Sequence, residues 1–253
     1  MERVALVFFA VILLFCSQES LRADSAPPPT DPATRAYRQR QDEANAVNVL
    51  RWLQAGNLRF AFGRSNHGGY PADGRERIRI TAQGQRPLAA VLSCIDSRTT
   101  PELIFDTSVG DLFTARVGGT EVNEDIVGSL EIAASSGIKV IVVLGHTDCA
   151  AIKGACSGEE LGHFTQLLER IKPSIAATAA RLDHDPSLSR YVGERVVENR
   201  RYVAEVSHMH AAQVAARIQA QSPILREMIA RREIVLVSAI FDVDTGRVTL
   251  DGI

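Results

Sequence analysis

Two short segments of the chain carry the residue types from which a metal-assisted reaction can be built. One reads Cys94-Ile95-Asp96-Ser97-Arg98 and the other Gly145-His146-Thr147-Asp148-Cys149. Two thiolates and one imidazole, from Cys94, Cys149 and His146, make a suitable zinc set and leave a fourth position for water or a nearby carboxylate. Thiolate ligands favour zinc over magnesium or calcium, with cobalt or iron as substitutes. The three-residue step from His146 to Cys149 lets both reach one ion from a single tight turn. Each residue also has a plain structural reading. A strand-end cysteine is commonly an apolar filler, an isolated HxxC pair arises by chance, and Asp96 with Arg98 makes an ordinary loop ion pair. The joint placement of complementary ligand types at two strand ends is what favours zinc.

That placement depends on the elements around the two segments. LAAVLSC (88–94), LFTARVG (112–118), KVIVVLG (139–145) and EIVLVSAIF (233–241) are short, nearly continuous apolar runs. Runs of this kind suit strands buried on both faces, as in a parallel sheet. Helical patterns separate them: one over 124–137 that closes on Gly137, and a longer region through 159–231. A further helical pattern runs from about Arg35 to Phe62, with Ala46, Val47, Leu50 and Leu53 at helical spacing. The turn formers of SNHGGYPADG (65–74) interrupt it. FDVDTGRVTL at the C-terminus reads as a hairpin turning at Asp244-Thr245-Gly246, an antiparallel edge. The expectation is an α/β fold: a mainly parallel β-sheet flanked by helices, with a C-terminal antiparallel edge strand. Open sheets of this type place ligand sites at the carboxyl ends of their strands. Cys94, His146 and Cys149 therefore meet if their two strands are neighbours.

The remainder of the 253 residues limits the function classes. A formal charge of -2, with no long basic run, disfavours a nucleic-acid surface. The chain is long enough to bury a core without disulfides. Residues 4–16 form an uncharged apolar run that fits the core of a signal peptide better than a membrane span. Residues 1–26 are accordingly read as a signal peptide, with an uncleaved anchor as the alternative, 27–34 as a proline-rich linker, and 35–253 as a single domain. The chain is expected to be exported, periplasmic or secreted, and free of the membrane after signal removal. In an oxidising compartment a disulfide among Cys94, Cys149 and Cys156 competes with the metal reading. His67, His163 and His184 are expected at the surface, and His208 and His210, two apart on a helix, on different faces.

The segments VLSCIDSRTTPELIFD and VVLGHTDCAAIKGA, with 51 residues between Cys94 and His146, resemble the β-class carbonic anhydrases. The likeness runs from about Gly56 to the C-terminal IFDVDTGRV. It implies Cys94, His146 and Cys149 as zinc ligands, Asp96 and Arg98 as a catalytic dyad, and Gln85 as a hydrogen-bonding contact to substrate. It also implies a homodimer or a multiple of dimers, with an N-terminal helical arm packing on the partner subunit. The activity implied is zinc-dependent reversible hydration of carbon dioxide to bicarbonate and a proton, by attack of zinc-bound hydroxide on the small-molecule substrate. Arg98 would keep Asp96 ionised and away from the metal, since a released Asp96 would close the fourth position. Two departures stand out: RVGGT (116–120) where many members read arginine-asparagine-alanine-glycine-asparagine, and Ala150 where glycine is common. Competing functions are hydrolysis of a related heterocumulene such as carbonyl sulfide or carbon disulfide, a non-catalytic zinc- or anion-binding homologue, and a redox-controlled metal-free form.

Overall fold

The computed structural model describes residues 32–69, 74–184 and 198–251. The proposed signal segment (1–26) and most of the linker lie outside the described residues. The linker ends earlier than expected, because Pro32 opens helix α1 (Pro32–Glu43). A proline in the first turn of a helix gives up an N–H that would have had no partner.

The single helical pattern expected from Arg35 to Phe62 is two helices. Asn45 ends the run and caps α2 (Ala46–Ala61), accepting from the Asn48 N–H at 3.0 Å. Helix α3 (Arg75–Thr81) leads to strand β1 (Ala89–Ser93), the short helix α4 (Pro101–Ile104) and β2 (Leu112–Arg116). Next come α5 (Glu124–Ser135), β3 (Val140–His146) and α6 (Ala150–Ser157). The long helical region divides into α7 (Gly162–Asp183), α8 (Arg200–Gln221) and α9 (Pro223–Ala230), followed by β4 (Val235–Phe241) and β5 (Val248–Leu250).

The strands form one sheet in the order β2-β1-β3-β4-β5. The first four are parallel and β5 is antiparallel to β4. Successive residues of the central strands feed different layers, which explains their unbroken apolar runs. Ala90, Leu92, Ile141 and Val143 pack with Leu130 of α5 and Val214 and Ile218 of α8. Ala89, Val91, Val140 and Val142 pack with Val49 and Leu53 of α2. The final hairpin turns where the sequence places it: Gly246 has φ 72°, and the Asp242 carboxylate accepts from the Asp244 and Thr245 N–H groups at 2.8 and 3.0 Å.

The N-terminal helices bury one face on their own chain. The Tyr37 hydroxyl donates to the Gly110 carbonyl at 2.8 Å, and the Gln41 amide donates to the Pro87 and Ser136 carbonyls. The contact of α2 is closer still, since a Cβ placed on Gly56 would lie 1.9 Å from the Phe105 carbonyl oxygen. Gly56→Ala must therefore push α2 off the loop after α4. A loss of about 1–3 kcal/mol is expected, read as a lowered denaturation midpoint, and a midpoint equal to that of the unmodified chain would refute this packing.

The two α8 histidines face different surroundings, as their spacing predicts. His208 is half-buried beside Asp251, whereas His210 is buried and shares a hydrogen bond with the Ser174 hydroxyl. Burial, with the Arg217 charge, pushes the His210 imidazole down to about 4. His163 and His184 are exposed and His67 is half-buried.

Candidate metal centre

Strands β1 and β3 are direct neighbours, paired through Ser93 and Leu144, so Cys94 and His146 emerge side by side at the carboxyl edge of the sheet. The chain leaves β3 through a tight turn in which Asp148 has φ 59°, a left-handed conformation that Asp and Asn tolerate better than most residues. Cys149 then caps the N-terminus of α6. The result is a cluster in which the ligand atoms of Cys94, His146 and Cys149 all lie within 4.8 Å of one another. All three residues are buried.

The donor set fits a zinc ion, and the orientation of the imidazole is decisive. His146 Nδ1 lies 2.9 Å from the Thr147 carbonyl oxygen, which can only accept, so Nδ1 carries the proton. Nε2 is then a bare lone pair in the cluster, buried and without a hydrogen-bond partner. A buried nitrogen in that state is costly unless something coordinates it. The two sulfurs share one proton unequally. Cys94 is pulled well below the ordinary thiol range, chiefly by the hydrogen bond from Cys149, with help from the Asp96 N–H. Cys149 is pushed up by sharing its proton with Cys94 and by burial, while the Ala151 and Ile152 N–H groups of α6 pull the other way. Cys94, Cys149 and Cys156 are all free thiols. Cys156 is half-buried on α6 and outside the cluster, and burial raises its thiol to about 11.

Asp96 and Arg98 stand beside this cluster. Arg98 Nε and Nη2 reach the two Asp96 oxygens at 2.9 and 2.8 Å, a fork-to-fork pair, and the Arg98 N–H adds a third bond at 2.9 Å. The Arg98 hydrogen bond, above all, holds the Asp96 carboxyl well below the usual carboxylate range. With both oxygens engaged, Asp96 is turned to Arg98 and not onto the cysteines.

Other residues fix the turn that carries Asp96. The Thr99 hydroxyl reaches the Cys94 and Asp96 carbonyls at 3.0 and 2.9 Å. From the end of the neighbouring β2, Arg116 donates to the same two carbonyls at 3.0 and 2.6 Å. These contacts were not legible in the sequence, where Arg116 appears only at the head of the unusual RVGGT segment. Its place late in an apolar run was the available signal; the structure sets it level with Ser93 on the adjacent strand.

Gln85 is not brought to the cluster. It is exposed in the loop before β1, whereas Cys94 follows the opposite end of that strand. Five strand residues at about 3.3 Å each separate the two ends by roughly 16 Å. Within one protomer its expected contact with substrate has no geometric support.

Comparison with known proteins agrees with this arrangement. The carbonic anhydrase family profile matches residues 89–248, the span that contains Cys94, Asp96, Arg98, His146 and Cys149. Carbonic anhydrase 2 of Mycobacterium tuberculosis is 31% identical over 212 residues, covering 81% of this chain and 93% of that protein. The chain belongs to the β-class carbonic anhydrase family. A carbonic anhydrase of Mycolicibacterium smegmatis is 32% identical over 213 residues, covering 82% of this chain and 94% of the relative. The fold is also that of a tetrameric β-carbonic anhydrase from Sordaria macrospora, with a TM-score of 0.61 at 24% identity over 81% of this chain and 98% of the other. The mainly parallel sheet and antiparallel edge strand expected from the sequence are thus those of a β-carbonic anhydrase.

Proposed function

We propose that this β-carbonic anhydrase family member binds zinc through Cys94, His146 and Cys149 and hydrates carbon dioxide reversibly to bicarbonate and a proton. The observation that carries the reading is the buried, partnerless Nε2 of His146 among two cysteines, beside an ionised Asp96. Zinc, when bound, supplies the Lewis acidity that moves water from a pKa of 15.7 toward roughly 7, so that a nucleophile exists at neutral pH.

The chain's residues determine what that water meets. The Thr147 carbonyl keeps the His146 lone pair directed at the metal position. Two thiolates donate more charge than two further imidazoles would, so the water is less acidic and gains more from an acceptor that orients it. Asp96 would be that acceptor, its carboxylate taking the hydrogen bond that would orient the water for the substrate carbon. Arg98 keeps Asp96 ionised and holds it off the metal position. Arg116 and Thr99 prevent the Cys94–Asp96 turn from drifting, which matters because misplacement of the order of 1 Å can cost about 10²-fold in rate.

The protein is further proposed to be exported after removal of residues 1–26 and to act as a homodimer or a multiple of dimers. Among the described residues no helix is long and apolar enough to cross a membrane. Val47, Leu58 and Phe62 on and just after α2, together with Leu103, are exposed apolar side chains suited to a partner subunit.

Stopped-flow CO2 hydration with a pH indicator, on mature protein of measured zinc content, tests the reading. The expected result is fast proton release that a chelator abolishes and added zinc restores. Zinc-loaded protein that is inert toward CO2 at neutral and mildly alkaline pH would overturn it; turnover of carbonyl sulfide or carbon disulfide by that same protein would identify the heterocumulene hydrolase instead.

A further inference from the structure

Arg98 has a second carboxylate partner. Asp96 occupies its Nε and Nη2, which leaves Nη1, and Nη1 lies 3.3 Å from Asp148 Oδ2. The other oxygen of Asp148 is taken by the Lys153 ammonium, one turn into α6. The Lys153 hydrogen bond is the main reason the Asp148 carboxyl sits below its ordinary value, with Arg98 contributing after it. Four charges thus alternate in sign along a chain, Asp96–Arg98–Asp148–Lys153.

The alternation has a structural consequence. The Arg98 side chain is 45% exposed, and a guanidinium held by one carboxylate alone can swing about that edge. A second acceptor on Nη1 fixes the plane of the fork. Asp148 also lies in the turn between His146 and Cys149, so it ties the dyad on the β1 turn to the turn that carries two of the ligands. Lys153 in turn holds the other oxygen of Asp148 from the first turns of α6. An uncharged side chain at 148 would weaken that second anchor and leave the backbone carbonyl of this position, 3.5 Å from Arg98 Nη2, as the lasting contact from this side.

We infer that Asp148 is a positioning residue that acts on the reaction through Arg98, with Lys153 as its own anchor. The inference rests on the proposed hydration activity, but half of its test does not. Asp148→Asn is the suitable variant, because Asn adopts the left-handed conformation at this position as readily as Asp, while it loses the charge and puts an NH2 donor in place of one of the two oxygens that accept from Arg98 and Lys153.

The kinetic arm compares kcat/KM for CO2 hydration in Asp148→Asn, Arg98→Ala and the double variant, each at measured zinc content. Asp148→Asn is expected to lose about five- to tenfold at unchanged zinc content, and to cause no further loss once Arg98 is absent. Losses that multiply in the double variant, or wild-type activity in Asp148→Asn, would overturn the inference. The second arm is the solvent exchange rate of the Arg98 Nε–H, followed by ¹⁵N NMR, which needs no turnover. Exchange is expected to rise about tenfold in Asp148→Asn and also in Lys153→Met, while the Arg116 Nε–H is unchanged. An Arg98 signal indifferent to both substitutions would refute the buttress even in an active enzyme. A wild-type protein inactive toward CO2 but showing the exchange effect would instead refute the proposed activity and leave the buttress standing.

Discussion

Cys149→Ser is expected to remove zinc and CO2 hydration together while the fold survives. The ligand atoms of Cys94, His146 and Cys149 converge within 4.8 Å, and a neutral hydroxyl cannot supply the charge that a thiolate brings to the ion. Loss of one of three protein ligands leaves two, too few for a closed tetrahedral site. The fold survives for a local reason. Cys149 is the N-cap of α6, and serine is among the best residues at that position, so the helix keeps its start. Zinc per chain should fall from near unity to near zero, with an unchanged far-ultraviolet circular dichroism spectrum. Cys156→Ser is the matched control; it should keep both metal and activity, because Cys156 lies outside the cluster. Full zinc content in Cys149→Ser would mean that the ligand set is wrong. The competing oxidised form separates in the same preparation. Thiol titration in denaturant without reductant returns Cys94, Cys149 and Cys156 from the zinc protein, whereas a disulfide between the first two leaves Cys156 alone.

The candidate metal cluster was legible because it depends on two features that a sequence displays directly. Continuous apolar runs mark strands buried on both faces, and the residues that follow such runs sit at the carboxyl edge of the sheet. Whether the runs ending at Cys94 and His146 are neighbours was a matter of topology, and the pairing of Ser93 with Leu144 settles it. What remained hidden falls into two kinds. Contacts between side chains and carbonyls, such as Arg116 and Thr99 on the Cys94–Asp96 turn, leave no periodic signature. Boundaries set by a single cap are the other kind. Asn45 splits one helical pattern into two because its side chain satisfies the Asn48 N–H, and hydrophobic spacing does not register that bond. Pro32 fits the same case, reading as linker by composition but serving as a helix start by position. Asp148 was missed for a third reason: between His146 and Cys149 it looks like a spacer, and only the approach of Arg98 from another strand end shows its contact.

Asp96→Ala is expected to lower kcat/KM by about 10²–10³ with zinc content near that of the unmodified protein. The magnitude is that of removing one preorganised hydrogen-bonding group aimed at the reacting centre. Metal content should persist because both Asp96 oxygens bond to Arg98 and neither belongs to the converging cluster. The pH dependence follows from the direction of the Asp96 shift. Arg98 lowers that carboxyl below the ordinary carboxylate range, so it is ionised at every pH at which the enzyme is assayed, and protonation would begin only in strong acid. The variant's deficit should therefore be similar at neutral and at alkaline pH, and any rise of activity with pH in that window belongs to the attacking water and not to Asp96. A deficit that vanished at alkaline pH would mean that Asp96 acts by titrating rather than by orienting. A metal-free Asp96→Ala protein would mean that the carboxylate is itself a ligand, and the division of labour between the triad and the dyad would have to be redrawn.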